Sequence, residues 1–168
     1  MSEEFVLTPA VALKSEGAPR FYRRLLRHGK RVALTTTART QHLIHYCSSP
    51  RGICINVPIE PCMRRQMNKI EAFVRENVEV PPELQSKGNV YKPLYPGSSM
   101  NILLDYHALV CYQPPTDFMK LSACREMKQF GSAEYTFTIN FDKIYIGPHK
   151  DGSVISIVPY IQHVSINC

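Results

Sequence analysis

Cysteine and histidine side chains cluster in the stretch HLIHYC, and these residue types bind zinc or act as a catalytic nucleophile and base. The stretch holds His42, His45 and Cys47, and Cys54 and Cys62 follow downstream. Zinc sites commonly use paired ligands such as C-x-x-C, and the chain contains no C-x-x-C. On a strand, the two histidines would point to opposite faces. The pattern therefore favours a partly buried hairpin over a metal site, and we expect no metal and no cofactor.

Enzymatic chemistry has little support elsewhere in the sequence. A catalytic Cys needs a His that is adjacent in space, and six of each residue type make chance pairs easy to find. The chain has no nucleophile elbow, no glycine-rich phosphate loop and no paired-carboxylate motif. We therefore predict that the protein is not an enzyme, and a small Cys/His enzyme is the third choice of function.

Positive charge is the strongest chemical signal in the chain. The stretch RFYRRLLRHGKR, residues 20–31, contains six Lys or Arg residues, mostly Arg, whose guanidinium groups pair well with phosphate oxygens. Residues 1–75 hold 13 Lys or Arg against 5 Asp or Glu, whereas residues 76–168 hold 7 against 9. This asymmetry predicts a basic face that binds an anionic partner: nucleic acid, a nucleoprotein or an anionic lipid surface.

The side chains that we predict to form this anion-binding face all come from the basic half of the chain. They are Arg20, Arg23, Arg24, Arg27, Lys30, Arg31, Arg39, Arg64, Arg65 and Lys69. Phe21, Tyr22 and Tyr46 could stack on bases where they are exposed, although a core position is favoured for Phe21. The aromatic pattern of RNA-recognition motifs and the GxxG of KH domains are absent.

Two amphipathic helices in the N-terminal half are predicted to position these charges. The first covers residues 20–28, follows Pro19 and ends near Gly29. Its apolar residues lie on one side of a helical wheel, with four arginines opposite. The second begins after Pro61 and ends before Pro81. Its apolar face repeats at helical spacing and comprises Met63, Met67, Ile70 and Val74.

The rest of the chain predicts strands. Runs rich in β-branched and aromatic residues lie at 31–37, 41–47, 53–57, 100–112, 133–142 and 153–167. The clearest alternation has four apolar residues on one face, Tyr135, Phe137, Ile139 and Phe141. Strand and helix stay open for residues 118–130. The predicted fold class is α+β and β-dominated, with an antiparallel sheet or a sandwich-like or barrel-like core.

Residues 1–17 are predicted to be a flexible arm, and residues 18–168 a single globular domain. A long loop at 78–99 interrupts this domain and is rich in proline and apolar residues. We expect it to contact other copies of the protein, so that a homo-oligomer forms, with folding back over its own core as the alternative. The residues predicted for self-association are Leu84, Tyr91, Leu94 and Tyr95.

The expected location is a reducing one, the cytoplasm or nucleus, with peripheral attachment to a membrane or presence in a virion left open. The N-terminus lacks the layout of a signal peptide, and no run of about 18 apolar residues occurs. We accordingly expect all six cysteines to be free thiols.

The organisation of the chain resembles that of small viral structural proteins, namely rhabdovirus-type matrix proteins and jelly-roll coat proteins. The resemblance covers a basic N-terminal part, a long central loop and C-terminal strands. Two features depart from those families: residues 1–13 contain no basic residue, and neither Pro-Pro pair continues as PPxY.

The first choice of function is a non-enzymatic assembly or adaptor protein that binds an anionic partner. The second is a sequence-independent protein that binds RNA or single-stranded DNA.

Overall fold

A computed structural model describes residues 4–13, 17–39, 47–49, 52–84, 88–94, 97–113, 119–120, 134–150 and 152–167. Fourteen strands and one α-helix lie within these residues, so the predicted β-dominated fold class is confirmed. The elements in chain order are β1 (Phe5–Leu7), β2 (Val11–Leu13), β3 (Arg20–Arg27), β4 (Lys30–Arg31), β5 (Ala33–Arg39), β6 (Cys47–Ser49), β7 (Gly52–Pro58), α1 (Pro61–Asn77), a 3-10 turn (Pro82–Leu84), β8 (Asn89–Lys92), β9 (Ser99–Gln113), β10 (Met119–Lys120), β11 (Glu134–Asn140), β12 (Lys143–His149), β13 (Gly152–Ile157) and β14 (Tyr160–Asn167).

The chain divides into two compact units, each assembled from three separate segments. The first unit contains residues 1–32, 65–95 and 141–158, and the second contains the remainder. Strands β1 and β2 lie within the predicted arm and pair with β3. The single domain predicted for residues 18–168 stays a prediction.

The first unit is built on a seven-stranded sheet in the order β1-β3-β12-β13-β8, with β2 and β4 also paired to β3. All its pairs are antiparallel except β13 with β8. Most of α1 belongs to this unit. The ring centroids of Phe5 and Phe73 lie 5.3 Å apart, which places the helix against one face of the sheet.

The second unit has its own seven-stranded sheet, in the order β5-β11-β14-β9-β7-β6 with β10 paired to β9. Strand β14 runs parallel to β9 and antiparallel to β11. Tyr135, Phe137 and Ile139 on β11 are buried, and so is Phe141 in the first unit. The burial predicted from this alternation is confirmed.

The first of the two predicted helices is wrong, because residues 20–27 form strand β3. Isolated helices of this length are marginal, whereas β3 forms backbone pairs with β1, β2, β4 and β12. Apolar residues in the pattern of Phe21, Tyr22, Leu25 and Leu26 suit a helix, but non-local pairing outweighs that local preference. The second predicted helix is confirmed as α1, and its four predicted core residues are buried.

Two regions that contain proline differ in detail from the sequence prediction. The predicted strand at 153–167 is interrupted at Val158 and Pro159, so that β13 joins the first sheet and β14 the second. Proline has no N–H for a continuous ladder, which accounts for the break. The predicted loop at 78–99 contains the 3-10 turn and strand β8. Most of the predicted strand at 41–47 and of the open region at 118–130 lies outside the described residues.

A candidate anion-binding face on the first sheet

Alternation along the strands divides the first sheet into two chemically different faces. One face is apolar and covered: Leu25, Ile144, Ile146, Ile155 and Ile157 are all buried. Their registers align across β3, β12 and β13, which places them on one side of the sheet. We call the opposite side the outer face. It comprises Val6, Val11, Leu13, Arg20, Tyr22, Arg24, Leu26, Arg31, Val90, Lys92, Lys143, Tyr145, Gly147, His149, Val154 and Ser156.

The outer face is accessible to solvent and strongly basic. It carries the four large hydrophobic residues that are most exposed among those described, Val6, Val11, Leu13 and Val90. Five of its strand positions are Lys or Arg, and none is Asp or Glu. Such a surface attracts anions over a distance set by the ionic strength.

One carboxylate lies beside the outer face and holds two of its arginines in place. Asp142 precedes β12 and is fully buried. Arg24 donates from Nη1 to Asp142 Oδ2 at 2.7 Å, and Arg31 Nε lies 3.9 Å from the same oxygen. The backbone carbonyl of Asp142 also accepts from the Leu25 N–H at 2.8 Å. This carboxylate offsets one of the five positive charges, and the outer face keeps a positive excess.

Two tyrosines occupy the middle of the outer face. Tyr22 on β3 and Tyr145 on β12 are directly opposed in the antiparallel register, and both are half-buried. A Cβ added to Gly147 would lie 2.5 Å from Tyr145 Cζ and 2.7 Å from Cε1. The Tyr145 ring therefore occupies the space over Gly147 that a side chain at this position would need. The Arg24 guanidinium carbon lies 5.7 Å from the centroid of the Tyr22 ring, in cation–π range.

The four arginines predicted for a single helix face are divided between the two faces of β3. Arg20 and Arg24 lie on the outer face, whereas Arg23 and Arg27 lie on the covered side. Arg23 Nε donates to the Thr8 carbonyl at 2.7 Å. Arg27 Nη2 lies 2.6 Å from Glu4 Oε1 and stacks over the Phe5 ring. Both of these side chains hold the N-terminal strands against β3.

Glu4 connects Arg27 to the helix. Lys69 Nζ lies 2.7 Å from Glu4 Oε2. The hydrogen bond from Lys69 is the main cause that lowers the pKa of the Glu4 carboxyl. Burial acts in the opposite direction, and the positive charges of Lys69, Arg27 and His28 lower the pKa further. Lys69 is thus partly engaged in joining α1 to β1.

The other predicted cations are dispersed. By register Lys30 falls on the covered side of the sheet, where it is exposed at the edge, and Arg31 falls on the outer face. Arg64 Nη2 donates to the Gly97 carbonyl at 2.5 Å in the second unit, and Arg65 is exposed on α1. Arg39 ends strand β5, and its side chain lies outside the described residues. Of the predicted ten, the structure places Arg20, Arg24 and Arg31 on the outer face.

Three of the residues predicted for self-association, Leu84, Tyr91 and Leu94, are described and lie in the first unit. Leu84 is buried within it, and the Leu94 N–H donates to Glu71 Oε1 at 2.6 Å. The Arg75 guanidinium lies 4.5 Å from the centroid of the Tyr91 ring. Burial raises the pKa of the Tyr91 hydroxyl well above its usual value, and the Glu71 charge raises it further. Tyr95 lies outside the described residues, and the role of this segment in assembly stays a prediction.

Lys92, Lys143 and Tyr145 are outer-face residues of the proposed binding site that the sequence analysis missed. Two of them carried a usable signal, because Lys143 and Tyr145 alternate with Ile144 and Ile146 as the exposed side of a half-buried strand does. Lys92 carried no such signal, because its position on the outer face depends on the parallel pairing of β8 with β13, which is remote in sequence.

Within the part of the chain that the structure describes, no group of three or more Cys, His, Asp or Glu side chains is arranged to hold a metal ion. His42 and His45 lie outside it. The described helix is not long and apolar enough to cross a bilayer. No protein-family model and no curated protein matches this chain.

Proposed function

We propose that this chain is a non-enzymatic binding protein that uses the outer face of its first sheet to bind a polyanionic partner. The observation that carries the proposal is the segregation of charge on this sheet. Five Lys or Arg residues share one accessible face whose strand positions include no Asp or Glu. Surfaces of a single sign raise the local concentration of an oppositely charged ligand and speed its association.

The fixed position of the Arg24 side chain also supports the proposed binding site. Arg24 is held by Asp142 at 2.7 Å, and its backbone lies opposite Lys143 on one side and is hydrogen-bonded to Thr8 on the other. A side chain that is already fixed loses less conformational freedom when it binds. Arg20, Lys92 and Lys143 are exposed around this fixed centre and supply adaptable contacts.

Assembly forms the second part of the proposal. Several copies presenting the same basic face would bind a long polyanion with avidity, because each added contact becomes intramolecular. Leu94 and the residues beside it remain the proposed contact between copies, and this part can fail without affecting the first.

The experiment compares two charge-matched double variants on a base-free polyanion, heparin. One replaces Arg20 and Lys143 with Gln and the other replaces Lys30 and Arg65 with Gln, so that both lose two positive charges from exposed positions. We expect the first variant to weaken heparin binding and to flatten its salt dependence, because fewer counterions are released. The second should stay close to the wild-type protein.

Circular dichroism spectra and thermal midpoints of both variants serve as the folding control. Equal effects of the two variants would mean that net charge, and not the outer face, determines binding. Absence of heparin binding by the wild-type chain at low salt would refute the proposal.

A further inference from the structure

We infer that the polyanion bound by the outer face is single-stranded nucleic acid, whose bases stack on Tyr145 and Tyr22 while its phosphates contact the surrounding cations. This inference rests on the proposed function and identifies the partner. It starts from the tyrosine pair, which a surface that recognised charge alone would not need.

The Tyr145 ring serves as the stacking platform. It lies over Gly147, where a Cβ would stand 2.5 Å from its Cζ atom, and it remains partly exposed. Any side chain at 147 would displace the ring. Partly exposed aromatic rings bind bases through their π-faces, and such stacking tolerates every base.

The second tyrosine lies on the neighbouring strand. Tyr22 and Tyr145 are cross-strand partners, so their Cβ atoms are separated by about 5 Å. Two tyrosines at this spacing suit successive bases of one nucleic-acid strand. The Arg24 guanidinium carbon lies 5.7 Å from the centroid of the Tyr22 ring, within cation–π range.

The cations surround the rings in a way that suits a backbone running over the sheet. Lys143 is the register partner of Arg24, and Arg20 lies one outer-face position from Tyr22. Lys92 lies across β13 on the edge strand β8. Phosphates on either side of two stacked bases would meet these side chains. A duplex hides its base faces, so the rings favour an unpaired strand.

An anionic lipid surface is the main competing partner, because the outer face also exposes aliphatic side chains. Those side chains lie at the margins, on β1, β2 and β8, and are three valines and one leucine. The centre of the face carries the tyrosines and Arg24 instead. This distribution favours nucleic acid.

The test measures the affinity of the full chain for oligothymidylate of about twelve nucleotides, a length within the range of known single-strand sites, and for an abasic oligomer with the same number of phosphates. Wild-type protein should bind the thymidylate more tightly than the abasic strand. Tyr145→Leu should weaken binding to the thymidylate by about fivefold or more, as expected for the loss of one stacked base, and leave abasic binding unchanged. Tyr145→Phe keeps the ring and should retain the affinity.

A second measurement uses unaltered protein, so it does not depend on a variant that folds. An oligomer containing 5-iodouracil should cross-link on irradiation to Tyr145 or Tyr22, as located by mass spectrometry. Equal affinity for thymidylate and abasic strands would overturn the stacking inference, and so would cross-links at other sites only. If heparin still binds, the proposed function remains intact in either case. Binding to phosphatidylserine vesicles without binding to either oligomer would assign the face to lipid and overturn the inference. If the wild-type protein binds no polyanion at all, both the stacking inference and the proposed function are refuted.

Discussion

Arg24 and Asp142 form an ion pair that joins β3 to the residue preceding β12, with Arg24 Nη1 and Asp142 Oδ2 at 2.7 Å. The carboxylate is fully buried, while 31% of the arginine side chain remains exposed. A buried carboxylate of this kind needs its charged partner, and the partner remains accessible on the outer face. The same contact therefore stabilises the sheet and orients a proposed ligand group.

Replacing Asp142 with Asn should destabilise the protein by about 1.5–3 kcal/mol, the usual value of a hydrogen bond to a charged group. Chemical denaturation measures the change. Arg31→Gln is the matched control, because its side chain is 56% exposed and its Nε lies 3.9 Å from the carboxylate. That variant should lose no more than about 1 kcal/mol. Equal losses would show that the 2.7 Å contact has no special role.

The ion pairs of Glu4 predict an acid-dependent loss of stability. Because the folded protein lowers the pKa of Glu4 from its ordinary 4.5, the carboxylate stabilises the fold above that pH, and the contribution disappears as the pH falls through the lowered value. Glu4→Gln should thus lower the thermal midpoint near neutral pH and match the wild-type protein in strong acid.

Glu79→Gln provides the control for Glu4, since Glu79 is exposed and no ion pair is seen for it among the described residues. It should leave the midpoint nearly unchanged at every pH. A difference between Glu4→Gln and wild type that persists undiminished in strong acid would contradict the proposed role of the Glu4 charge.

Two glycine substitutions should have opposite consequences. The atoms nearest to the Cβ of an Ala at 147 would belong to the Tyr145 side chain, which can rotate away, so the fold should lose less than about 1 kcal/mol while thymidylate binding weakens. An Ala at 152 would meet the backbone carbonyl of Gly88, which cannot move independently, and should cost about 1–3 kcal/mol. Thermal melts and binding isotherms distinguish the two. Intact thymidylate binding by Gly147→Ala would show that the position of the Tyr145 ring over Gly147 does not matter for binding.

The sequence predicted well wherever one periodicity dominated. Met67 and Ile70 repeat at helical spacing and are buried on α1, and Phe137 alternates as expected and is buried on β11. The local pattern predicted the wrong element at β3, where the spacing of the apolar residues suits a helix. There the pairing of Phe21 with Ile146, which are remote in sequence, decides the outcome.

The candidate site was only partly predictable for the same reason. Positive charge was visible from composition, but the face on which each arginine lies depends on the strand assignment of β3. Lys92 joins the site through the pairing of β8 with β13, which no local pattern predicts. Alternation along β12 marks Tyr145 as exposed, but only the pairing with β3 places it opposite Tyr22. The tyrosine pair in particular exists only once these registers are known.

Assembly through the segment around β8 is tested by Leu94→Ser. If this segment joins copies, light scattering should show a smaller particle while the circular dichroism spectrum is unchanged, because Leu94 is only partly buried in the chain itself. Leu84→Ala is the contrasting variant, since Leu84 is 4% exposed and its truncation should cost about 2–5 kcal/mol of stability. An unchanged particle size for folded Leu94→Ser would exclude this residue from the contact.

The location of the polyanion site is tested most directly by lysine footprinting on the unmodified protein. Lys30, Lys92 and Lys143 are all exposed, but only Lys92 and Lys143 lie on the outer face. Acetylation followed by mass spectrometry, with and without saturating heparin, reports which amines the polyanion covers. We expect Lys92 and Lys143 to become protected while Lys30 reacts as before. Protection of Lys30 with continued reaction of Lys92 and Lys143 would contradict the assignment of the outer face as the binding surface.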